Sequence, residues 1–266
     1  LEMMDRLLPN YDQEMVAILE SMLKKKNIDI YTGTNVKAIR DDNGRKKICF
    51  EFNGTEKFVT TDSVLMAACR RANTKALGLD KLGGELEKSC IVVNDRMQTK
   101  VPGIYAIGDA IGGIQLAHVA MAEAEIAAQN ALGKERHISY SAVPACIYSI
   151  PELASVGMSE ELAARAGYDT IIGRFPFSAN GRALTMEETA GLVKIVAEKK
   201  NGGILGASIL GKNATEMIGE LALSISMEAT LDELCNTMHA HPTMSEAIFE
   251  AAWDAKGRSV HLPPKK

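Results

Sequence analysis

Apolar positions recur along this chain with two periods, and the change from one to the other divides it. Between Pro9 and Lys26, Met15, Ile18, Leu19 and Met22 fall on one face of an amphipathic helix, which Asn27 stops. Leu1-Glu2 reads as the end of a strand, and Ile28 to Val36 as a short strand and turn. Lys47 to Phe52 alternates and predicts a hairpin with Lys57 to Thr60 around Asn53-Gly54, a dipeptide suited to a tight turn. Ser63-Val-Leu-Met-Ala67 predicts a buried strand. The polar, turn-rich stretch from Asn73 to Lys88 reads as a connector, followed by short strands at Cys90 to Val93 and just before Gly108-Asp109. Leu116 to Leu132 predicts a long Ala-rich helix.

Beyond Val143 the pattern is mostly that of strands: Val143 to Tyr148, Pro151 to Gly157, Thr170 to Phe177, Gly191 to Glu198 and Ile204 to Leu210, with Lys199 to Gly203 as a hairpin loop. Ser159 opens a capped helix. Asn213 with Glu216, Thr230 with Glu233 and Thr243 with Glu246 have the spacing of capping pairs. The first of these helices carries the apolar stripe Met217, Ile218, Leu221 and Ile225, and the last is expected to start near Met244. Antiparallel strands followed by helices make an α+β module. The opening part instead reads as the second half of an α/β, Rossmann-like dinucleotide-binding unit, in which an acid about 20 residues beyond a glycine-rich turn meets a ribose. Glu2 fits that acid. The expected divisions are residues 1–72, 73–142 and 143–266.

Composition narrows the function classes. With 46% hydrophobic and 24% charged residues the chain reads as an ordinary globular protein, and a net charge of −4 offers no basic surface for nucleic acid. No apolar run is long enough to span a membrane as a helix and no charged-then-apolar leader is present, so the expected setting is the cytoplasm. Cys49, Cys69, Cys90, Cys146 and Cys235 show neither CxxC nor CxxxxC spacing, so no zinc site or redox disulfide is written in residues 1–266.

The candidate chemistry lies in His239-Ala-His-Pro-Thr-Met-Ser-Glu246. Glu246 can reach back to a ring nitrogen of His241, fixing its tautomer as in a general acid/base pair. Read alone, the same residues also fit a helix-capping glutamate beside a loop histidine. The wording of the segment closely resembles the C-terminal signature of the flavin-dependent pyridine nucleotide-disulfide oxidoreductases, and within them the class I members acting on dihydrolipoamide. Thr99-Lys-Val-Pro-Gly-Ile-Tyr-Ala-Ile-Gly-Asp109 resembles the second flavin motif of that family, and the order of strands and helices beyond Val143 resembles its interface domain.

That resemblance implies His241 as the base and Glu246 as its orienting partner. It implies FAD held by Asp109 at the ribitol and phosphate region, with Gln115, Leu116, Ala117 and His118 beneath the ring, and NAD met by Glu2, Val36 and the turn at Cys69. In the family that turn reads Ile-Gly-Arg-Arg-Pro; here it reads Ala68-Cys-Arg-Arg-Ala72, with Cys69 in place of Gly. Arg70 and Arg71 are read as a solvated turn. The implied assembly is a homodimer through residues 143–266, and the implied substrate is dihydrolipoamide on a lipoyl-bearing acyltransferase or similar carrier. The family's two GxGxxG loops and its CxxxxC disulfide do not occur here, so the chain is read as the C-terminal part of such an enzyme, expected to be inactive and to retain neither FAD nor NAD alone. Alternatives are a flavin disulfide reductase of the glutathione or mercuric type, and a dimerising remnant without catalysis.

Overall fold

The computed structural model describes residues 1–263. They form two compact units, one from residues 1–65 together with 144–263 and the other from residues 66–143.

The first unit opens with α1 (Gln13–Lys25), capped by Asp12, whose Oδ1 accepts the Met15 N–H at 3.2 Å. Of the predicted face, Met15 and Leu19 are buried and Ile18 and Met22 half-buried; Val16, outside that stripe, is buried as well. Three antiparallel strands follow, β1 (Asn35–Asp42), β2 (Arg45–Phe52) and β3 (Thr55–Thr61), in that order. The Asn53-Gly54 turn is where the sequence places it, and Asn43-Gly44 makes a second one. Both residues of each pair have positive φ, the geometry that matches the twist of a two-residue hairpin.

Four expected strands are absent among the described residues; the one just before Gly108-Asp109 is reduced to a single bridge between Tyr105 and Gln98. Ile28 to Thr34 is irregular, and regular pairing begins only at Asn35; the segment bonds instead to the amino end, Glu2 N–H to Tyr31 O at 2.8 Å and Thr34 N–H to Glu2 O at 2.9 Å. Leu1-Glu2 is likewise extended without belonging to a sheet. Ser63 to Ala67 has no strand beside it among the described residues, and Leu65 is 90% exposed. An apolar run supplies strand propensity but not a ladder partner, and without one its amides stay with solvent.

The second unit contains β4 (Leu86–Glu87) and β5 (Cys90–Ile91), a two-stranded ladder, and the long α2 (Ala117–Ala131). The buried side of α2 is unusual, because Val119 and Ile126 share it with Glu123 and Asn130.

Back in the first unit, β6 (Ala145–Ile147), β7 (Glu152–Gly157), β8 (Thr170–Pro176), β9 (Leu192–Glu198) and β10 (Ile204–Gly211) form one antiparallel sheet in the order β6-β7-β10-β9-β8. Each strand lies within two residues of where the sequence places it. Short helices α3 (Glu160–Arg165) and α4 (Gly181–Thr185) flank β8, and α5 (Ala214–Ser226), α6 (Leu231–Asn236) and α7 (Glu246–Ala255) complete the unit. α1 packs its apolar face on Leu153 and Leu210. Lys194 lies in register with Ser208 and so shares the Leu210 face, where its ammonium meets Asp12 Oδ2 at 2.8 Å, Glu14 Oε2 at 2.9 Å and Glu160 Oε2 at 2.7 Å. Arg174 joins the same cluster through Glu14 and Glu160.

α5 packs on β7 and β10, and α7 on β8 and β9. The approach of α7 is close enough that a Cβ on Gly173 would lie 1.9 Å from the Ala251 carbonyl oxygen. Gly173→Ala is therefore expected to push α7 off the sheet and to cost about 1–3 kcal/mol, read as a lower urea midpoint with an unchanged slope.

Of the three capping pairs, only Thr230 with Glu233 forms a complete box, and its bonds hold the Glu233 carboxyl below the usual carboxylate range. At α5, Asn213 is left-handed and gives no side-chain cap; Glu152 of β7 replaces it, its Oε2 accepting Thr215 N–H at 3.0 Å and Oγ1–H at 2.8 Å. α7 begins at Glu246, two residues later than expected. On α7 the buried Glu250 holds the following tail: its Oε2 accepts from Ser259 Oγ at 2.6 Å and Val260 N–H at 3.1 Å, and its Oε1 lies 2.7 Å from His261 Nδ1.

Candidate active site

Thr237 to Ser245 leads from α6 to α7 and carries both imidazoles of the signature. His241 Nδ1 lies 2.8 Å from Glu246 Oε1, and the other carboxylate oxygen accepts the Thr243 N–H at 2.7 Å. The Thr243 hydroxyl donates to Ala240 O instead of capping α7, so only half of the expected capping box forms. Glu246 therefore bonds the ring and fixes the backbone beside it in one carboxylate. With Nδ1 facing an acceptor, the neutral tautomer carries its proton there and offers the Nε2 lone pair; the side chain is 77% exposed, open to a proton donor.

The residues expected at the flavin lie in the other unit. Gly108 has φ +66°, and a Cβ there would come within 3.2 Å of Ala120 on α2, so glycine serves both backbone and packing. Its N–H donates to Glu123 Oε2 at 2.7 Å, and the same carboxylate accepts from Tyr140 Oη–H at Oε1, also 2.7 Å. Burial, then this neighbour, pushes the Tyr140 phenol up to about 12. Asp109 projects from the fixed turn into solvent, where Arg70 lies 3.4 Å from Oδ2 and donates to Gln115 O at 2.8 Å. Arg70 is thus more than a solvated turn residue.

Leu116 precedes α2 without capping it by a side chain, Ala117 is its first residue, and Ala117 and His118 are exposed. These features fit a flavin. They supply an exposed carboxylate for hydroxyls, alanines that allow close approach, and helix amides with no side-chain cap turned toward an anionic group.

The residues expected at NAD are less concentrated. Glu2 spends one carboxylate oxygen on the Met4 N–H at 2.7 Å, and Val36 is exposed on β1. Cys69 is exposed, in a segment of the other unit without regular secondary structure, and is not among the residues with positive φ. Its backbone has no need of glycine, so any hindrance there comes from the side chain alone.

Sequence reasoning did not find Glu123, Tyr140, Arg70 or Glu220, whose carboxylate lies 2.8 Å from His239 Nε2. Only Glu123 carried a signal, an acid spaced four residues after Val119 and three before Ile126 on the apolar side of an Ala-rich helix. The others are joined to their partners by the fold.

Comparison with known proteins gives a consistent result. A family model described as "Pyridine nucleotide-disulphide oxidoreductase" matches residues 1–124, and one described as "Pyridine nucleotide-disulphide oxidoreductase, dimerisation domain" matches residues 143–252. The chain belongs to the pyridine nucleotide-disulphide oxidoreductases. Among relatives of this family it is 42% identical over 264 residues to a dihydrolipoyl dehydrogenase of Bacillus subtilis, covering 98% of this chain and 56% of that protein. It is 40% identical over 266 residues to the dihydrolipoyl dehydrogenase of Geobacillus stearothermophilus, covering all of this chain and 57% of the relative. The chain thus spans a little over half the length of these oxidoreductases. Among solved structures, LpdA from Mycobacterium tuberculosis superposes with a TM-score of 0.87 at 26% identity, over 95% of this chain and 55% of that one. The copper(II) complex of the HOCl-induced flavoprotein disulfide reductase RclA from Escherichia coli gives 0.86, also at 26%, over 94% and 56%. Among the described residues no helix is long and apolar enough to cross a membrane, and no cluster of three or more metal-ligating side chains occurs.

Proposed function

We propose that this chain supplies the acid/base and dimerising part of an enzyme that oxidises dihydrolipoamide to lipoamide and reduces NAD. The observation that carries the reading is the His241–Glu246 contact of 2.8 Å on an exposed ring. His241 accepts a thiol proton at Nε2, which turns the thiol into the nucleophilic thiolate. Glu246 keeps Nδ1 protonated and stabilises the imidazolium that results. Overall, two thiols become one disulfide, NAD⁺ gains a hydride and one proton is released. The exchanging disulfide comes from outside residues 1–266, since these hold no CxxxxC, and FAD, when bound, supplies the two-electron carrier.

In this reading residues 1–72 belong to the NAD-binding part, residues 73–142 to the FAD-binding part, and residues 143–266 to a homodimer interface that presents His241 to the partner's flavin. Asp109, Gln115, Leu116, Ala117 and His118 are the flavin contacts; Glu2, Val36 and Cys69 face NAD. The carrier is dihydrolipoamide on a lipoyl-bearing acyltransferase, in the cytoplasm. The test is a complete enzyme made by joining residues 1–266 behind the corresponding N-terminal half of the Bacillus subtilis relative. NAD reduction that depends on dihydrolipoamide is expected; turnover only with glutathione or mercuric ion would overturn the substrate assignment, and a flavin-loaded enzyme inert to all three would overturn the catalytic one. In the same enzyme Cys69→Gly is expected to tighten NADH binding about fivefold by removing roughly 1 kcal/mol of steric hindrance. An unchanged Kd would show that the pocket accommodates the thiol.

A further inference from the structure

The second imidazole of the loop is built differently from His241. The side chain of His239 is only 6% exposed. Its Nε2 lies 2.8 Å from Glu220 Oε1 on α5, its Nδ1 lies 3.1 Å from Thr237 O, and its ring stacks at a tilt on Phe249 of α7 with centroids 5.7 Å apart. Both ring nitrogens thus face oxygens that accept, a carboxylate and a carbonyl. A neutral imidazole has one N–H and one lone pair, so either tautomer would turn a lone pair toward an oxygen lone pair. Only the imidazolium satisfies both contacts. With both nitrogens engaged, His239 has none left for a substrate proton.

We propose that His239 is a positioning residue, an imidazolium staple that ties the 237–241 loop to α5 and α7 and so fixes where His241 presents Nε2. The inference rests on His241 being the base. The surroundings agree in sign: Glu220 on α5 and Glu233 on α6 line the same cleft of about 410 Å³, among the described residues no cationic side chain other than His239 lines it, and Glu246 acts on the ring through space. The bond to Glu220 holds the His239 ring above the usual imidazole range and outweighs burial, which pulls it down. A raised value means that the staple is fully fastened below the ordinary imidazole range and is released as pH rises through the folded value.

The experiment is nitrogen NMR of this chain labelled at histidine, with amide exchange followed at Thr243, whose N–H reports the loop through its bond to Glu246. Both His239 ring nitrogens are expected to keep imidazolium shifts at pH values where an ordinary imidazole has lost its proton. Glu220→Gln, which keeps an acceptor but removes the charge, is expected to lower the pH of His239 deprotonation. His239→Gln is expected to speed Thr243 exchange about tenfold, after correction for intrinsic rates, with Trp253 fluorescence confirming the fold. His239 deprotonating within the ordinary imidazole range, or Thr243 exchange equal in wild type and His239→Gln, would overturn the proposal. Neither readout needs flavin or turnover, so failure of the proposed activity in the completed enzyme is a separate result.

Discussion

His241→Gln is expected to lower dihydrolipoamide oxidation by the completed enzyme about 10²–10⁴-fold, the usual contribution of a positioned general base. Glutamine fills most of the ring's volume but takes up no proton at neutral pH, so flavin content and dimerisation should stay unchanged while kcat falls. Glu246→Gln keeps an oxygen that can accept from Nδ1–H and loses the charge that stabilises the imidazolium, and its expected loss is smaller, about tenfold. Stopped-flow measurement of flavin reduction by dihydrolipoamide isolates the step. A His241→Gln enzyme reducing its flavin at more than a tenth of the wild-type rate would remove His241 from the mechanism.

Lys194→Met is expected to destabilise the first unit by about 3–5 kcal/mol. Lys194 and Asp12 are 2% and 1% exposed at their side chains, and methionine would leave the Asp12 carboxylate buried without its ammonium, with Glu14 and Glu160 beside it. Burial pushes the Glu14 carboxyl up, yet the hydrogen bonds from Arg174 and Lys194 outweigh it and hold Glu14 below the usual range. A depressed carboxylate contributes stability above its unfolded value and loses it as pH falls through the folded one, so the gap between wild type and variant should narrow in acid. Urea unfolding followed through Trp253 of α7, the only tryptophan of the chain, measures both. A loss under 1 kcal/mol at neutral pH would mean that the cluster contributes little beyond its own desolvation.

The features legible in the sequence are those set by neighbours along the chain. The Met15-Ile18-Leu19-Met22 repeat gives α1, the Asn53-Gly54 dipeptide gives its hairpin, and Thr230 with Glu233 gives a capping box, because each is a local interaction. Asn43-Gly44 carried the same turn signal as Asn53-Gly54, and it closes β1, a strand that apolar spacing alone does not mark. What failed depended on residues far away. Ser63 to Ala67 lacked a ladder partner, Asn213 yielded its capping role to Glu152, and Lys194 sits in the middle of a strand where Asp12, 182 positions earlier, together with Glu14 and Glu160, explains a charge. At the candidate site the His241–Glu246 pair was legible at five residues' separation. The Glu220 that holds His239, nineteen residues off on another helix, was not.

Glu246 and Glu250 stand one turn apart on the same ten-residue helix, the first gripping the loop that carries His241 and the second gripping Ser259 to His261. Burial pushes the Glu250 carboxyl up, but the bonds from Ser259 and His261 outweigh it and hold it below the usual range, so this grip weakens as pH falls. α7 therefore works as a short lever with the partner of His241 at one end and the tail fastened near its middle. Anything hung on the carboxyl side of the chain, whether a purification tag, a surface tether or a fused partner, pulls on the rod that aims His241. Attachments meant to leave that aim undisturbed belong at the amino side.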